Sequence, residues 1–181
     1  MAGKFTIQRR LILSEAGPAK DLQMAEFAHQ RVFLVVVDET EELQIAVHYA
    51  ARRAAHTGGR VALLYVIEPS ELQHWRAIED LAREERREEA EQLMHRLCEE
   101  ISPIAGSMPI VYIREGVRRD ELLALINEEP SISILVLAAG TGPEGPGPLI
   151  SYLTGKPAAR LRVPITIVPG SATMEQLDSI S

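Results

Sequence analysis

Five short apolar runs punctuate the chain, and between them apolar residues recur at helical spacing. Val32-Phe-Leu-Val-Val-Val37 is unbroken and rich in β-branched side chains, which predicts a strand buried on both faces and ended by Asp38. Val61–Ile67, closed by Glu68-Pro69, and Ile132–Ala138 predict two more, with Pro109–Ile113 and Pro164–Val168 completing five. After the first strand, Leu43, Ala46, Val47, Ala50 and Ala54 share one helical face. Thr40 is the expected cap of that helix, Glu41 and Glu42 sit in its first turn, and Gly58-Gly59 stops it. A long helix is expected from Ser70 to about Ile101, with Leu81, Leu93, Met94, Leu97, Cys98 and Ile101 on its apolar stripe. A third helix carries Leu122, Leu123, Leu125 and Ile126 and ends before Pro130. A last one, with Pro157 in its first position, has room for only about two turns before Val163-Pro164.

Strands alternating with helices predict an α/β domain: an open, mostly parallel five-stranded sheet with helices on both faces. In such sheets a ligand crevice lies beyond the carboxyl ends of the strands, where strand order reverses. Asp38, the end of Val66-Ile67, Arg114-Glu115 and the glycine-rich segment Gly140–Gly155 all fall on that edge. Residues 31–170 make up the expected domain. Residues 1–30 read as an N-terminal extension, split at Gly17-Pro18 and too small to bury a core of its own. Residues 171–181 read as a polar tail with little to pack.

Charge narrows the partners. A net charge of −7 over 181 residues argues against a general nucleic-acid binder, which needs a surplus of Lys and Arg, but not against a small phosphorylated ligand. The apolar runs are too short to span a membrane, and the first residues lack a hydrophobic signal core, so the cytoplasm is the expected location. The single cysteine, Cys98, permits no intrachain disulfide and reads as an inert core thiol. The five histidines are scattered without metal-ligand spacing. The charged stretch Arg83–Glu89 reads as a solvated helix face.

Gly140-Thr-Gly-Pro-Glu-Gly145 has the GxGxxG spacing of a dinucleotide site, but its context is wrong. It follows the fourth strand instead of the first, Pro146, Gly147 and Pro148 interrupt a helix, and no acidic residue ends a following strand. Asp38-Glu-Thr-Glu-Glu42 lacks the glycines that adenylating enzymes use to hold pyrophosphate, and its carboxylates repel phosphate.

The spacing Gly142-x2-Gly145-x9-Gly155 resembles the G-x2-G-x9-G-[S/T] motif of the universal stress protein family. Val32–Val37 with Asp38, Val61–Pro69, Arg114-Glu-Gly116 and Ile165–Val168 are similar to that family's first strand, second strand, third-strand turn and last strand. The resemblance implies an adenine-nucleotide α-hydrolase-like, Rossmann-like sheet and a stress-linked regulatory role without catalysis, a slow ATPase being the enzymatic alternative. It implies ATP or AMP as ligand, with Asp38 and the backbone at Val66 facing adenine and ribose. Gly142 and Gly145 would approach ribose and phosphates, and Gly155 would lie beside the terminal phosphates. Val163–Val168, short, apolar and last in sequence, reads as an edge strand that pairs with a second copy as in the family's dimers, and charge and run length leave neither nucleic acid nor membrane as expected partner. Lys156 stands where the family places Ser or Thr, offering an ammonium in place of a hydroxyl. Pro143, Pro146 and Pro148 each remove an amide donor from the loop. An interaction module of the same fold that binds no nucleotide is the alternative reading.

Overall fold

A computed structural model describes residues 30–69, 76–155, 158 and 161–181. Strands β1 (Val32–Val37), β2 (Arg60–Ile67), β3 (Ile110–Glu115), β4 (Ile132–Ala139) and β5 (Ile165–Pro169) form one sheet in the order β3-β2-β1-β4-β5. Every pairing is parallel. Strand order reverses between β1 and β4, which is the crevice position for this architecture. The strands lie within one or two residues of the positions that the apolar runs predict.

Helix α1 (Leu43–Thr57) ends on Gly58 in the left-handed conformation, φ 63°, where glycine carries no Cβ penalty. Its start differs from expectation. Thr40 turns its hydroxyl to Asp38, the helix begins at Leu43, and Glu42 is its N-cap without a side-chain capping bond. Helix α2 (Arg76–Ala105) continues past the expected end at Ile101, through Pro103 to Gly106. The expected start at Ser70 lies outside the described residues. The charges of α2 tie it to the strand ends. Arg83 and Arg87 pair with Glu115 at 2.5 and 3.8 Å, and Arg86 donates to the Glu68 carbonyl at 3.0 Å.

Helices α3 (Arg118–Glu128) and α4 (Pro148–Leu153) cover the other face. α4 corrects the reading of the glycine segment. Pro148 does not break a helix but starts one, because its fixed φ and missing N–H suit the first helical position. Ile150 and Leu153 are buried beneath it. Pro157 and Lys156 lie outside the described residues, where the expected two-turn helix would begin.

Residues 171–181 are not an unpacked tail. They carry helix α5 (Met174–Ile180), closed at its start by a capping box between Thr173 and Gln176. Leu177 is fully buried in the core of the α1–α2 face.

Side chains alternate across the sheet as the pleat requires. Phe33, Val35, Val37, Val61 and Leu63 face α1, α2 and α5; Val32, Leu34, Val36, Ala62 and Leu64 face α3 and α4. A register shift between Val32 and Phe33 lets Ser133 stand out of the ladder, its hydroxyl accepting from the Val32 amide at 3.4 Å. This is why Ile132 and Leu135, three apart, share one face. Among the described residues no helix is long and apolar enough to cross a membrane.

Candidate functional site

The carboxyl ends of β1 and β4 diverge into the loops Asp38–Glu42 and Gly140–Gly147, and a cavity of about 150 Å³ opens between them. Leu43 and Ala46 of α1 wall one side, and Leu149 and Ile150 of α4 wall the other. Val36 and Leu137 form the floor; Asp38, Glu42 and Arg118 supply the charges.

Each polar group is placed by its loop. Asp38, half-buried, follows the last buried residue of β1, and its Oδ1 accepts from the Thr40 amide at 3.1 Å and the Thr40 hydroxyl at 2.6 Å. The loop is therefore closed on itself as an Asx turn. Glu42 reaches across the reversal point to the glycine segment. Its Oε1 accepts from the Thr141 amide at 2.9 Å and from the Thr141 hydroxyl at 3.1 Å. The Thr141 amide is the main reason this carboxyl sits below its ordinary value near 4.5, assisted by Glu42's own amide and the Thr141 hydroxyl. The clamp has little lateral freedom. A Cβ at Gly170, where β5 ends, would lie 2.2 Å from the Ala139 carbonyl and 2.6 Å from Glu42 Cγ, so only glycine fits there.

The glycine segment spends several of its donors internally. Gly140 donates to the Pro146 carbonyl at 3.2 Å, Gly145 to Gly142 at 3.3 Å, and Gly155 to Tyr152 at 3.2 Å. With Thr141 held by Glu42 and three prolines lacking an N–H, the segment is a self-braced turn more than an open cradle of amides. Gly145 has φ 92°, a backbone shape that L side chains rarely adopt. Gly142 has no positive φ, and the space around its Cβ position is open.

Of the residues that the sequence proposes, Asp38 lines the cavity together with Gly140, Pro146, Gly147 and Pro148. Gly142 and Gly145 belong to the neighbouring turn and Gly155 follows the C-cap of α4, and none of the three is a lining residue. Val66 is not brought there either. It sits on β2, 3% exposed, with its side chain packed toward α3 and its backbone paired with Arg114. Lys156 lies outside the described residues.

Two lining or bracing residues escape sequence reasoning, Thr141 and Arg118, and Glu42 is read there only as a first-turn acid whose charge repels phosphate. Glu42 and Thr141 are 99 positions apart, and only the topology joins them. Arg118 opens α3 at the cavity rim, where its Nη2 meets Glu68 Oε2 at 3.2 Å. Next to it, the Arg119 guanidinium lies 5.3 Å over the Tyr152 ring and links α3 to α4.

Compared with known proteins, residues 30–169 match the profile of the universal stress protein family. A search of curated proteins returns no match. Among solved structures, universal stress protein UspA from Lactobacillus plantarum superposes with a TM-score of 0.64 at 18% identity, covering 76% of this chain and 97% of its own. A universal stress family protein from Burkholderia pseudomallei gives 0.58 at 17% identity, with 76% and 95% covered. A universal stress protein solved in complex with cAMP gives 0.50 at 17%, with 78% and 98% covered. With the profile spanning most of the described domain and the same sheet in these relatives, the chain belongs to the universal stress protein family.

Proposed function

We propose that the chain is a cytoplasmic, non-catalytic regulatory protein that binds an adenine nucleotide in the β1–β4 crevice, taking AMP in preference to ATP. The observation that carries this reading is the cavity of about 150 Å³ that sets Asp38, Glu42, Thr40 and Arg118 among aliphatic, proline and glycine lining residues. A volume of that size suits one aromatic ring system, well below the several hundred Å³ of pockets that enclose larger ligands. Asp38 accepts hydrogen bonds and so suits a ligand edge that donates them, such as an exocyclic amine or a ribose hydroxyl. The carboxylates of Asp38 and Glu42 repel a chain of phosphates more than a single one. The family relative in complex with cAMP takes a nucleotide with one phosphate, a cyclic diester, which supports a ligand with a single phosphate here. The hydroxyls of Thr40 and Thr141 are both committed to carboxylates, which favours binding over turnover.

Mass spectrometry of the supernatant from heat-denatured protein, with calorimetric titration of AMP and ATP, tests this. Co-purified or titratable AMP is expected, and failure of both nucleotides to bind removes the reading. One observation favours the second reading, an interaction module without nucleotide: the Glu42 carboxylate already occupies the Thr141 amide. In that case the variant Glu42→Ala gains no nucleotide affinity.

A homodimer through Val163–Val168 is part of the proposal. β5 is an edge strand, and Ile167 on it is 41% exposed, an arrangement that favours pairing with a second copy. Sedimentation at micromolar concentration tests it, with a dimeric mass expected.

A further inference from the structure

The sequence offers Lys156 as the cation of the glycine segment, yet the cation that lines the crevice is Arg118. Its position follows from the local fold. β3 ends at Glu115, Gly116 turns the chain with φ 147°, and Val117 is the extended N-cap of α3. Leu122, Leu125 and Ile126 seat α3 on the sheet, so its first residue stands at the carboxyl edge beside Asp38.

Two features set Arg118 apart from an ordinary surface arginine. Its Nε is buried and has no hydrogen-bond partner among the described residues. Its Nη2 is held by Glu68 at 3.2 Å in a pair whose side chains are 36% and 49% exposed, the kind of contact that a ligand readily displaces. Glu68 also accepts from the Arg118 amide at 3.3 Å, so it keeps the helix start in place even when the guanidinium lets go. Nε and Nη2 form one edge of the guanidinium fork, and that edge matches two oxygens of a phosphate. A buried donor left without a partner is costly, and an anion that displaces Glu68 from this edge and draws the guanidinium to the crevice satisfies it.

We propose that Arg118 is the anion-recognising residue of the crevice, taking a single phosphate group through Nε and Nη2, with Glu68 as its resting partner. Applied to AMP, this rests on the nucleotide reading above; applied to the anion alone, it does not. One guanidinium edge grips one phosphate. The anion specificity of the site then resides in the start of α3 and not in the glycine spacing.

The test has two arms. In the first, AMP and adenosine are titrated calorimetrically into wild type, Arg118→Ala and Arg118→Lys. The alanine variant is expected to lose on the order of tenfold in AMP affinity, the scale of a charge-assisted hydrogen bond, and nothing in adenosine affinity. Lysine restores part of the loss as a point charge. An unchanged AMP affinity, or an equal loss for both ligands, overturns the assignment. In the second arm, inorganic phosphate is titrated while the arginine Nε–H resonances are followed by NMR, and the signal that vanishes in Arg118→Lys is expected to move. If that signal moves but neither AMP nor adenosine binds, Arg118 stands and the nucleotide reading falls. If it stays still and AMP does not bind, both fall.

Discussion

The two faces of the sheet are covered by different means. On one, α1 and the 30-residue α2 lie along the strands, with Ala46, Ala50, Ala51 and Ala54 letting α1 approach closely, and α5 closes the edge with Leu177. On the other, the 11-residue α3 and the six-residue α4 share the work with a proline-glycine turn. Both faces bury continuous aliphatic layers, and the cavity opens between them at the strand ends, where the Asp38–Glu42 loop leading into α1 meets the proline-glycine turn and the start of α3. Every helix leaves its first N–H groups without intrahelical partners whatever its length, and on the second face the start of α3 also brings the Arg118 side chain to the gap. The site draws on both coverings: Asp38, Glu42 and the start of α1 come from the first, and Arg118, the glycine turn and α4 from the second.

Matched core truncations break this comparison most strongly. Met94→Ala on α2 and Leu122→Ala on α3 remove side chains 2% and 0% exposed. Each is expected to cost about 2–5 kcal/mol in denaturant unfolding. Only Leu122→Ala also weakens AMP binding, because it loosens the helix that presents Arg118. An equal loss of binding in both variants erases the distinction between the faces.

Leu177→Ala comes next, at about 2–3 kcal/mol, the lower end for a buried leucine because a terminal helix can detach. Hydrogen exchange should report early opening of α5 amides while β1 and β4 stay protected. Protection of α5 equal to wild type means that Leu177 does not anchor it.

A smaller effect sharpens the view of the crevice. Glu42→Gln keeps an acceptor for Thr141 and removes a negative charge from the cavity rim. AMP affinity should rise by a modest factor that shrinks as salt is added, since the effect is a screened Coulomb term. A fall in affinity means that Glu42 contacts the ligand favourably.

The smallest effect is acid-dependent. Asp178 on α5 accepts from His48 Nε2 at 2.8 Å and pairs with Arg52 at 3.0 Å. The His48 bond is the chief reason its carboxyl lies below the ordinary value near 3.8. A carboxyl with a depressed folded pKa stabilises the fold above its unfolded value and ceases to do so as pH falls through the folded one. The docking of α5 should therefore be independent of Asp178 protonation above about pH 4 and weaken in stronger acid, with Asp178→Asn removing that dependence. Exchange rates of α5 amides against pH read it out, and identical profiles for both proteins contradict it.

The strands and α1 are legible in the sequence because their signals are local: a β-branched run such as Val32–Val37, a 3.6-residue stripe, a glycine stop at Gly58. Helix α5 carries a local signal too, Thr173-x-x-Gln176 before Leu177, but one buried leucine in a polar stretch gives little periodicity. α4 is hidden by Pro148, which breaks a helix inside and favours one at its start. The crevice is the least legible part. Asp38 is marked by its place at a strand end, whereas Arg118 comes from a different loop 80 positions later, and the Glu42–Thr141 clamp spans 99. No spacing rule in one sequence joins residues that only the reversal of strand order brings together.

Calorimetric titration of AMP and ATP into the wild-type chain tests the crevice most directly. One AMP per chain is expected, with ATP weaker by about tenfold, the cost of placing further phosphates beside Asp38 and Glu42. ATP binding as tightly as AMP, or neither binding at all, contradicts a small, carboxylate-rimmed site that takes a single phosphate.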